Sequence, residues 1–273
     1  MATDPHPLAG SLRAGAKLLM ILFVSALLMP LQALVMAVIR GPPAFVVPRL
    51  WHRCLCRILG LSIEVVGKRC VQGRTLYVGN HISHFDILLL GSVLHTRFIA
   101  KDDMQQWPGV PFIAGLQQTV FISRRSRDAS ATATAVAEVM RKGDNLLLFA
   151  EGTTSDGRTV APFKSSLFSL FVGDASDAAT AWTVQPFTLV LLGIDGHALR
   201  VGEGGEEDRD VYAYYGNMDA GAHVRRFLRG KGARLRLVLH APMHVAAGTD
   251  RKVLSALTHH IVASALETKA PQA

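Results

Sequence analysis

The chain has 273 residues and a net charge of +8, and it is 49% hydrophobic and 18% charged. This hydrophobic content is high for a soluble enzyme and low for a polytopic membrane protein, and the length suits one large domain or two small ones. The positive charge is compatible with nucleic acid or anionic lipid, but the sequence has no basic motif interleaved with aromatic residues, so we expect no nucleic-acid partner. The three cysteines (Cys54, Cys56 and Cys70) are typical of reduced thiols in a cytoplasmic protein.

The first notable segment is an apolar run over residues 18–39, interrupted only by Ser25, Pro30 and Gln32. It is long enough to cross a hydrocarbon layer of ~30 Å, and it does not end in the small residues of a signal-peptide cleavage site. Basic residues flank both ends, which suggests that both ends lie near one anionic leaflet. Because proline removes an intrahelical hydrogen bond, Pro30 could divide the run into two arms. The sequence therefore favours a re-entrant or in-plane hairpin, with a single straight span as the alternative.

Residues 48–59 follow as an amphipathic basic helix, with Arg49, Arg53 and Arg57 separated from the apolar side chains. Such a helix fits a membrane surface, although a core helix whose arginines extend into solvent would show the same pattern. We therefore assign residues 1–59 to a membrane-associated segment and residues 60–273 to one globular domain.

Strands and helices alternate along the rest of the chain. Strands are predicted at residues 62–66, 75–79, 97–101, 119–123, 145–150, 184–192 and 234–240. Helices are predicted at residues 86–93, 128–142, 165–173, 220–229 and 250–267. The alternation predicts an α/β fold, a single domain with a mixed, largely parallel sheet flanked by helices and preceded by an N-terminal membrane helix or helical hairpin. Residues 203–210, rich in glycine and acidic residues, are predicted to form a surface loop.

A histidine and a carboxylate five positions apart, His81 and Asp86, lie where a predicted strand gives way to a helix. A neutral histidine with a carboxylate behind it can act as a general base with a fixed tautomer. The intervening His84 leaves a metal site open as an alternative, since imidazole and carboxylate groups bind zinc or iron. No second cluster of metal ligands accompanies these residues, so we expect no metal.

Three further segments follow predicted strands or begin one. Residues 121–125 end in Arg124 and Arg125, whose guanidinium groups suit an anionic substrate. Residues 149–155 continue a predicted strand into a turn of small residues that can present N–H groups and hydroxyls to oxygen atoms. The last segment, residues 184–187, contains Pro186. No Walker loop or Gly-x-Gly-x-x-Gly motif is present, which argues against nucleotide-driven phosphoryl or hydride transfer.

The order and spacing of residues 80–86, 121–124, 149–155 and 184–186 resemble the four blocks of the glycerolipid acyltransferases. The sequence looks most like the 1-acylglycerol-3-phosphate (lysophosphatidic acid) acyltransferase family, from about residue 63 to residue 243. The resemblance implies that His81 deprotonates the acceptor hydroxyl while Asp86 orients it. The acyl donor would be acyl-CoA or acyl carrier protein, and no other cofactor is implied. The resemblance also implies a set of substrate-binding residues: Arg124, Glu151, Gly152, Thr153, Lys164 and Pro186.

The sequence departs from the family pattern at two positions: Ala150 stands where the third block usually has proline, and Ser123 stands where the second often has Asp or Gly. Residues 150–157 and 214–219 resemble bacterial lyso-ornithine lipid acyltransferases, which bears on the acceptor. We expect lysophosphatidic acid as the acceptor, with lyso-ornithine lipid as the alternative and a metal-dependent membrane hydrolase as the alternative of another class. The resemblance implies a location at the bacterial inner membrane, with the active site facing the cytoplasm and membrane lipid as a partner.

Overall fold

The computed structural model describes residues 7–39, 42–71, 74–107, 109–122, 143–169, 182–200, 204–246 and 248–267, together with residues 136, 138, 139, 171, 172 and 202. Within these residues one sheet contains nine strands. They are β1 (Leu61–Val66), β2 (Thr75–Gly79), β3 (Arg97–Lys101), β4 (Val120–Ile122), β5 (Leu146–Phe149), β6 (Trp182–Ile194), β7 (His197–Ala198), β8 (Ala233–Leu239) and β9 (Met243–Val245).

The sheet has the strand order β1-β8-β6-β2-β5-β3-β4, and the short strands β7 and β9 pair with β6. Neighbouring strands are parallel along the path except between β6 and β8, which are antiparallel, as are β7 and β9 to β6. The predicted mixed, largely parallel sheet is therefore confirmed. Because β2, β5 and β3 run side by side in one direction, their carboxyl ends meet at one edge of the sheet.

Eight α-helices are described: α1 (Pro7–Val38), α2 (Val46–Leu59), α3 (Asp86–Val93), α4 (Val110–Leu116), α5 (Ser165–Phe168), α6 (Gly205–Tyr212), α7 (Ala220–Arg229) and α8 (Arg251–Glu267). They cover both faces of the sheet. Side chains of α2, α3 and α7 bury against one face, including Leu59, Leu89 and Phe227. Side chains of α5 and α8 bury against the other, including Phe168 and Leu254. The two buried clusters fix the positions of the strand ends, where reactive side chains are commonly placed.

The N-terminal element is one continuous helix, α1, and Pro30 lies inside it. The expectation that Pro30 divides the apolar run was therefore wrong. Packing around the proline explains the continuity: Leu28 is buried, and the Gln32 side chain donates to the carbonyls of Ala44 and Leu116 at 3.0 and 3.1 Å. Neighbouring elements thus hold the helix together where one backbone hydrogen bond is lost. The hairpin that does form consists of α1 and α2.

One face of α1 contacts the domain along most of its length. Arg13 donates to Arg229 O at 2.8 Å, and the buried Lys17 ammonium donates to Leu59 O and Gly230 O at 3.1 and 2.9 Å. Further along, Ser25 accepts a hydrogen bond from Trp51 Nε1 at 2.9 Å. The outward face is exposed and apolar, and α1 is long and apolar enough to span a membrane.

Other sequence-based assignments differ from the structure. Residues 203–210 were predicted to form a loop, but α6 begins at Gly205, and its first turn carries three acidic residues that stabilise a helix N-terminus. Strands β7 and β9 and helix α4 were missed because each is short. Ser123 and most of the predicted helix 128–142 lie outside the described residues. The boundary between residues 59 and 60 stays a prediction.

Candidate active site

The candidate site lies at the edge where β2 ends, and two residues fix the start of its loop. Gly79 lets β2 and β6 approach closely, since a Cβ atom there would lie 2.4 Å from Phe187 O. The buried Asn80 side chain then donates to Leu189 O at 3.0 Å and accepts from Leu189 N at 2.7 Å. The loop that carries His81 is therefore anchored to β6 before it turns into α3.

The structure brings His81 and Asp86 together. His81 Nδ1 lies 2.7 Å from Asp86 Oδ2, and this oxygen also accepts from the backbone N–H groups of Ile82 and Ser83 at 2.7 and 3.0 Å. The Asp86 side chain is fully buried, whereas that of His81 is 15% exposed. With its proton on Nδ1 facing the carboxylate, the imidazole keeps Nε2 as a proton acceptor. The pair can therefore serve as an oriented general base.

An aromatic ring from the neighbouring strand fixes the plane of the imidazole. The Phe149 ring at the end of β5 stacks on His81 with a centroid distance of 3.7 Å and an interplanar angle of 8°. Phe187 contacts Phe149 edge-on at 6.2 Å. His81 thus has a hydrogen bond at one ring nitrogen and an aromatic ring against one face, which leaves its ring little rotational freedom.

Glu151 joins the loop of His81 to the segment after the third block. Its Oε1 accepts the His81 backbone N–H at 2.8 Å, and its Oε2 accepts the Ala161 N–H at 2.9 Å. The residue is buried, and this burial raises the pKa of the Glu151 carboxyl above its ordinary value. Both oxygens contact backbone groups, so the geometry gives Glu151 a positioning role; its predicted contact with the head group stays a prediction.

Two lysines converge on Gly152 beside the loop of His81. The Lys101 ammonium at the end of β3 donates to Gly152 O. Gly152 has φ +68°, and a Cβ atom there would lie 2.9 Å from Lys164 Nζ, so glycine suits both the backbone conformation and the space. Thr153 and Lys164 are exposed. Sequence analysis missed Lys101, although a basic residue at the end of a predicted strand was a usable signal.

The structure gives no substrate-site position for two predicted residues: Arg124 lies outside the described residues, and Pro186 lies within β6. Arg124 comes two positions after the last residue of β4, Ile122, which is in register with Lys101. Pro186 is buried in β6 in register with Val78, and its carbonyl accepts from the His240 N–H at 3.0 Å. Their predicted substrate contacts stay predictions.

His84 is part of an aromatic cluster. Its ring lies 4.4 Å from the ring of Phe85 and 5.1 Å from those of Tyr214 and His223. Burial lowers the pKa of His84 to about 4, so its ring is neutral near pH 7. Within the described part of the chain, no group of three or more His, Cys, Asp or Glu side chains could hold a metal ion. The metal-site alternative therefore has no donor cluster there.

Comparisons with known proteins give the class of enzyme. A family model described as Acyltransferase matches residues 62–189. The lyso-ornithine lipid O-acyltransferase of Brucella abortus is 34% identical to this chain, and the match covers 81% of this chain and 82% of that enzyme. The enzyme of the same name from Rhizobium meliloti is 33% identical, and the match covers 77% of this chain and 71% of that enzyme. The chain belongs to the acyltransferase family. More narrowly, it is a lysolipid acyltransferase.

Two further matches are to acyltransferases of a second kind, one by sequence over a shorter part of the chain and one by structure. The 1-acyl-sn-glycerol-3-phosphate acyltransferase of Neisseria gonorrhoeae is 38% identical over 34% of this chain and 37% of its own. The crystal structure of the 1-acyl-sn-glycerophosphate acyltransferase from Thermotoga maritima shares the fold. Its TM-score is 0.63 at 14% identity, covering 96% of this chain and 99% of that one.

Proposed function

We propose that the protein transfers an acyl chain from a thioester donor to the free hydroxyl of lyso-ornithine lipid. The main support for this catalytic activity is the 2.7 Å hydrogen bond between His81 and the buried Asp86. The relatives that match more than three quarters of the chain support this acceptor. On this support we prefer lyso-ornithine lipid to lysophosphatidic acid, the acceptor expected from the sequence alone.

The proposed step uses the two nitrogens of His81 in different roles. Nε2 accepts the hydroxyl proton as the acceptor oxygen attacks the thioester carbonyl, and the Nδ1–H stays bonded to Asp86. The new C–O bond forms and the C–S bond breaks when the tetrahedral intermediate collapses. The imidazolium returns its proton to the leaving thiolate, so the histidine is regenerated. The donor, acyl-CoA or acyl carrier protein, is consumed as a substrate.

The cations beside Gly152 support binding of a head group that carries a carboxylate or a phosphate. Lys101 donates to the carbonyl of this residue, Lys164 Nζ lies beside its Cα, and Glu151 links it to the loop of His81. An ammonium group binds the carboxylate of an ornithine head group or the phosphate of lysophosphatidic acid by charge-assisted hydrogen bonds. Lysophosphatidic acid therefore remains the second candidate acceptor, favoured by the shorter match to the Neisseria enzyme.

One assay separates the two acceptors. Purified protein is given a labelled acyl donor, either acyl-CoA or acyl carrier protein, and either lyso-ornithine lipid or lysophosphatidic acid in mixed micelles. We expect kcat/KM for lyso-ornithine lipid to be higher by about tenfold or more, a difference of ~1.4 kcal/mol in transition-state binding. A ratio that favours lysophosphatidic acid with both donors would refute the proposed acceptor and leave the reaction class unchanged.

The general-base role of His81 is tested by His81→Ala. We expect turnover to fall by at least ~10², as the loss of a general base does, with an unchanged unfolding temperature. His197→Ala, which removes an exposed imidazole whose Nδ1 lies 3.0 Å from the neighbouring Ala198 carbonyl, is the matched control and should keep parental activity. Acyl transfer by the His81 variant at the rate of the control would show that His81 is not the base.

We further propose that the enzyme binds one leaflet of the bacterial inner membrane from the cytoplasmic side. The face of α1 that contacts the domain runs from Arg13 to Gln32, about 29 Å at 1.5 Å per residue. A helix attached over this length cannot cross a bilayer without drawing the domain in with it. This attachment supports an α1 that lies in the plane of the membrane, with its exposed apolar side chains in the lipid and the domain in water.

A further inference from the structure

A buried phenol from outside the four sequence blocks contacts the His81–Asp86 pair. Tyr212, the last residue of α6, is fully buried, and its hydroxyl donates to Asp86 Oδ1 at 2.7 Å. The two residues are 126 positions apart in the chain. Burial, with Asp86 beside it, raises the pKa of Tyr212 well above its ordinary value of 10. The phenol is therefore protonated near pH 7 and donates to the carboxylate.

The two oxygens of Asp86 have different partners. Oδ2 accepts from His81 and from two backbone N–H groups, whereas Oδ1 accepts from Tyr212. Loss of the phenol hydroxyl would leave Oδ1 in a dry environment without this donor, which is costly for a charged group. The carboxylate could then rotate or draw in water, and either change would move the imidazole bonded to Oδ2.

The chain after Tyr212 is bonded to the same catalytic loop. The Tyr214 N–H donates to Ile82 O at 3.0 Å, one residue after His81. The Tyr212 ring packs against the rings of Phe85 and Phe227, each with a centroid 6.1 Å away. Tyr212 is therefore fixed relative to Asp86 by its ring contacts and by the following backbone.

We infer that Tyr212 is a positioning residue for acyl transfer, which holds Asp86 in the orientation that aligns His81 and disperses the negative charge of the carboxylate. The inference rests on the general-base role proposed for His81. Tyr212 itself reaches neither substrate, because it is fully buried.

Dispersal of the carboxylate charge has a consequence for the pH profile. Without the hydrogen bond from Tyr212, less of the negative charge of Asp86 is offset, so the carboxylate stabilises the protonated imidazole of His81 more strongly. A protonated imidazole cannot act as a base, so activity would be lost at a higher pH on the acidic side. Among the described residues, Glu151 and His84 also interact electrostatically with the pair, and any variant of Tyr212 leaves both in place.

The test is Tyr212→Phe, with Tyr215→Phe as the matched control. Tyr215 lies in the same segment, and its hydroxyl donates to Asp210 at 2.9 Å. For Tyr212→Phe we expect kcat to fall about tenfold, because a misaligned general base loses part of its rate contribution. The KM of each substrate should change less than about twofold. The midpoint of the acidic limb of the kcat/KM profile should move to higher pH. The control should show none of these changes.

The midpoint does not depend on the amount of folded enzyme, so it decides the question even if Tyr212→Phe is partly unfolded. An unmoved midpoint, or equal changes in the Tyr215 control, would overturn the role of Tyr212. A rise in KM with unchanged kcat would also overturn it, because that result indicates a binding role. An inactive His81→Ala together with a parental Tyr212→Phe would reject this inference alone, whereas an active His81→Ala would reject the general base itself.

Discussion

Glu151 illustrates how a residue of a sequence block can serve the site through the backbone. Its carboxylate bridges the N–H groups of His81 and Ala161, and its burial raises the pKa of the carboxyl. A carboxyl whose folded pKa lies above its unfolded value near 4.5 binds its proton more tightly when folded. Its contribution to the free energy of unfolding therefore decreases as the pH rises from 4.5 through the folded pKa.

Glu151→Gln is predicted to remove this part of the pH dependence and to lower activity. The amide keeps one acceptor but turns an N–H group towards a backbone N–H, so one bridge is lost and kcat should fall about tenfold. Unfolding by urea at several pH values and steady-state kinetics measure the two effects. Glu206→Gln, which alters an exposed carboxylate bonded to Arg158, is the control. Parental kinetics and pH dependence in the Glu151 variant would contradict the bridging role.

The sequence predicted the members of the site that are close together in the chain, and it could not predict their distant partners. His81 and Asp86 are five positions apart at a strand end, where spacing alone suggests contact. The contacts of Asp86 with Tyr212 and of Lys101 with Gly152 depend on how separate elements pack. Phe149 belongs to a recognised block, but its stacking on His81 follows from the pairing of β5 with β2.

At the scale of elements, the packing of α2 on α3 depends on one glycine. A Cβ atom at Gly91 would lie 1.6 Å from Nδ1 of His52, which is fully enclosed between the two helices. We predict that Gly91→Ala lowers the free energy of unfolding by about 1–3 kcal/mol, as overpacking of a core does. Because α3 begins at Asp86, activity should fall as well.

Gly115→Ala is the matched control for this prediction, since it also lies within a helix and a Cβ atom there meets nothing within 4 Å. Alanine is the better helix former, so the control should be neutral or more stable by up to about 1 kcal/mol. Chemical denaturation of both variants in detergent gives the comparison. A Gly91 variant as stable as the Gly115 variant would show that α2 can move away at no cost.

The type of an element could be predicted from the sequence where its residue pattern was long. The predictions failed where a short segment depends on its surroundings. The strands of the central sheet and helix α8 follow from their apolar patterns. Helix α6 is short and acidic, and its Asp208 is held by Arg200 at 2.7 Å, a contact that no local pattern reports. The continuity of α1 through Pro30 likewise depends on packing against Ala44 and Leu116.

At the scale of the whole molecule, we predict that the outward face of α1 binds lipid. Leu19 and Phe23 are 70% and 72% exposed. The double variant Leu19→Glu/Phe23→Glu should weaken sedimentation with anionic vesicles by at least about tenfold, because each buried apolar side chain contributes ~1.5–3 kcal/mol. Activity on lysolipid in vesicles should fall in parallel, whereas activity in detergent micelles should persist.

Val253→Glu/Leu257→Glu is the control for this prediction. These side chains are 64% and 47% exposed on α8, which packs on the opposite face of the sheet from α2 and α3. The control should sediment like the parent. Equal loss of binding in both double variants would mean that added negative charge, and not the position of α1, weakens attachment to the vesicles.

The attachment of α1 to the domain also bears on how the acceptor travels. Ile21 of α1 packs against the buried cluster that contains Ile82 and Phe85, two residues of the loop that carries His81. Extraction of a fatty chain into water costs ~0.8 kcal/mol per methylene, which would make desorption of a long-chain acceptor very slow. With the proposed orientation of α1, the acceptor need only diffuse laterally. Encounter rates would then follow surface density in the leaflet and hardly depend on bulk concentration.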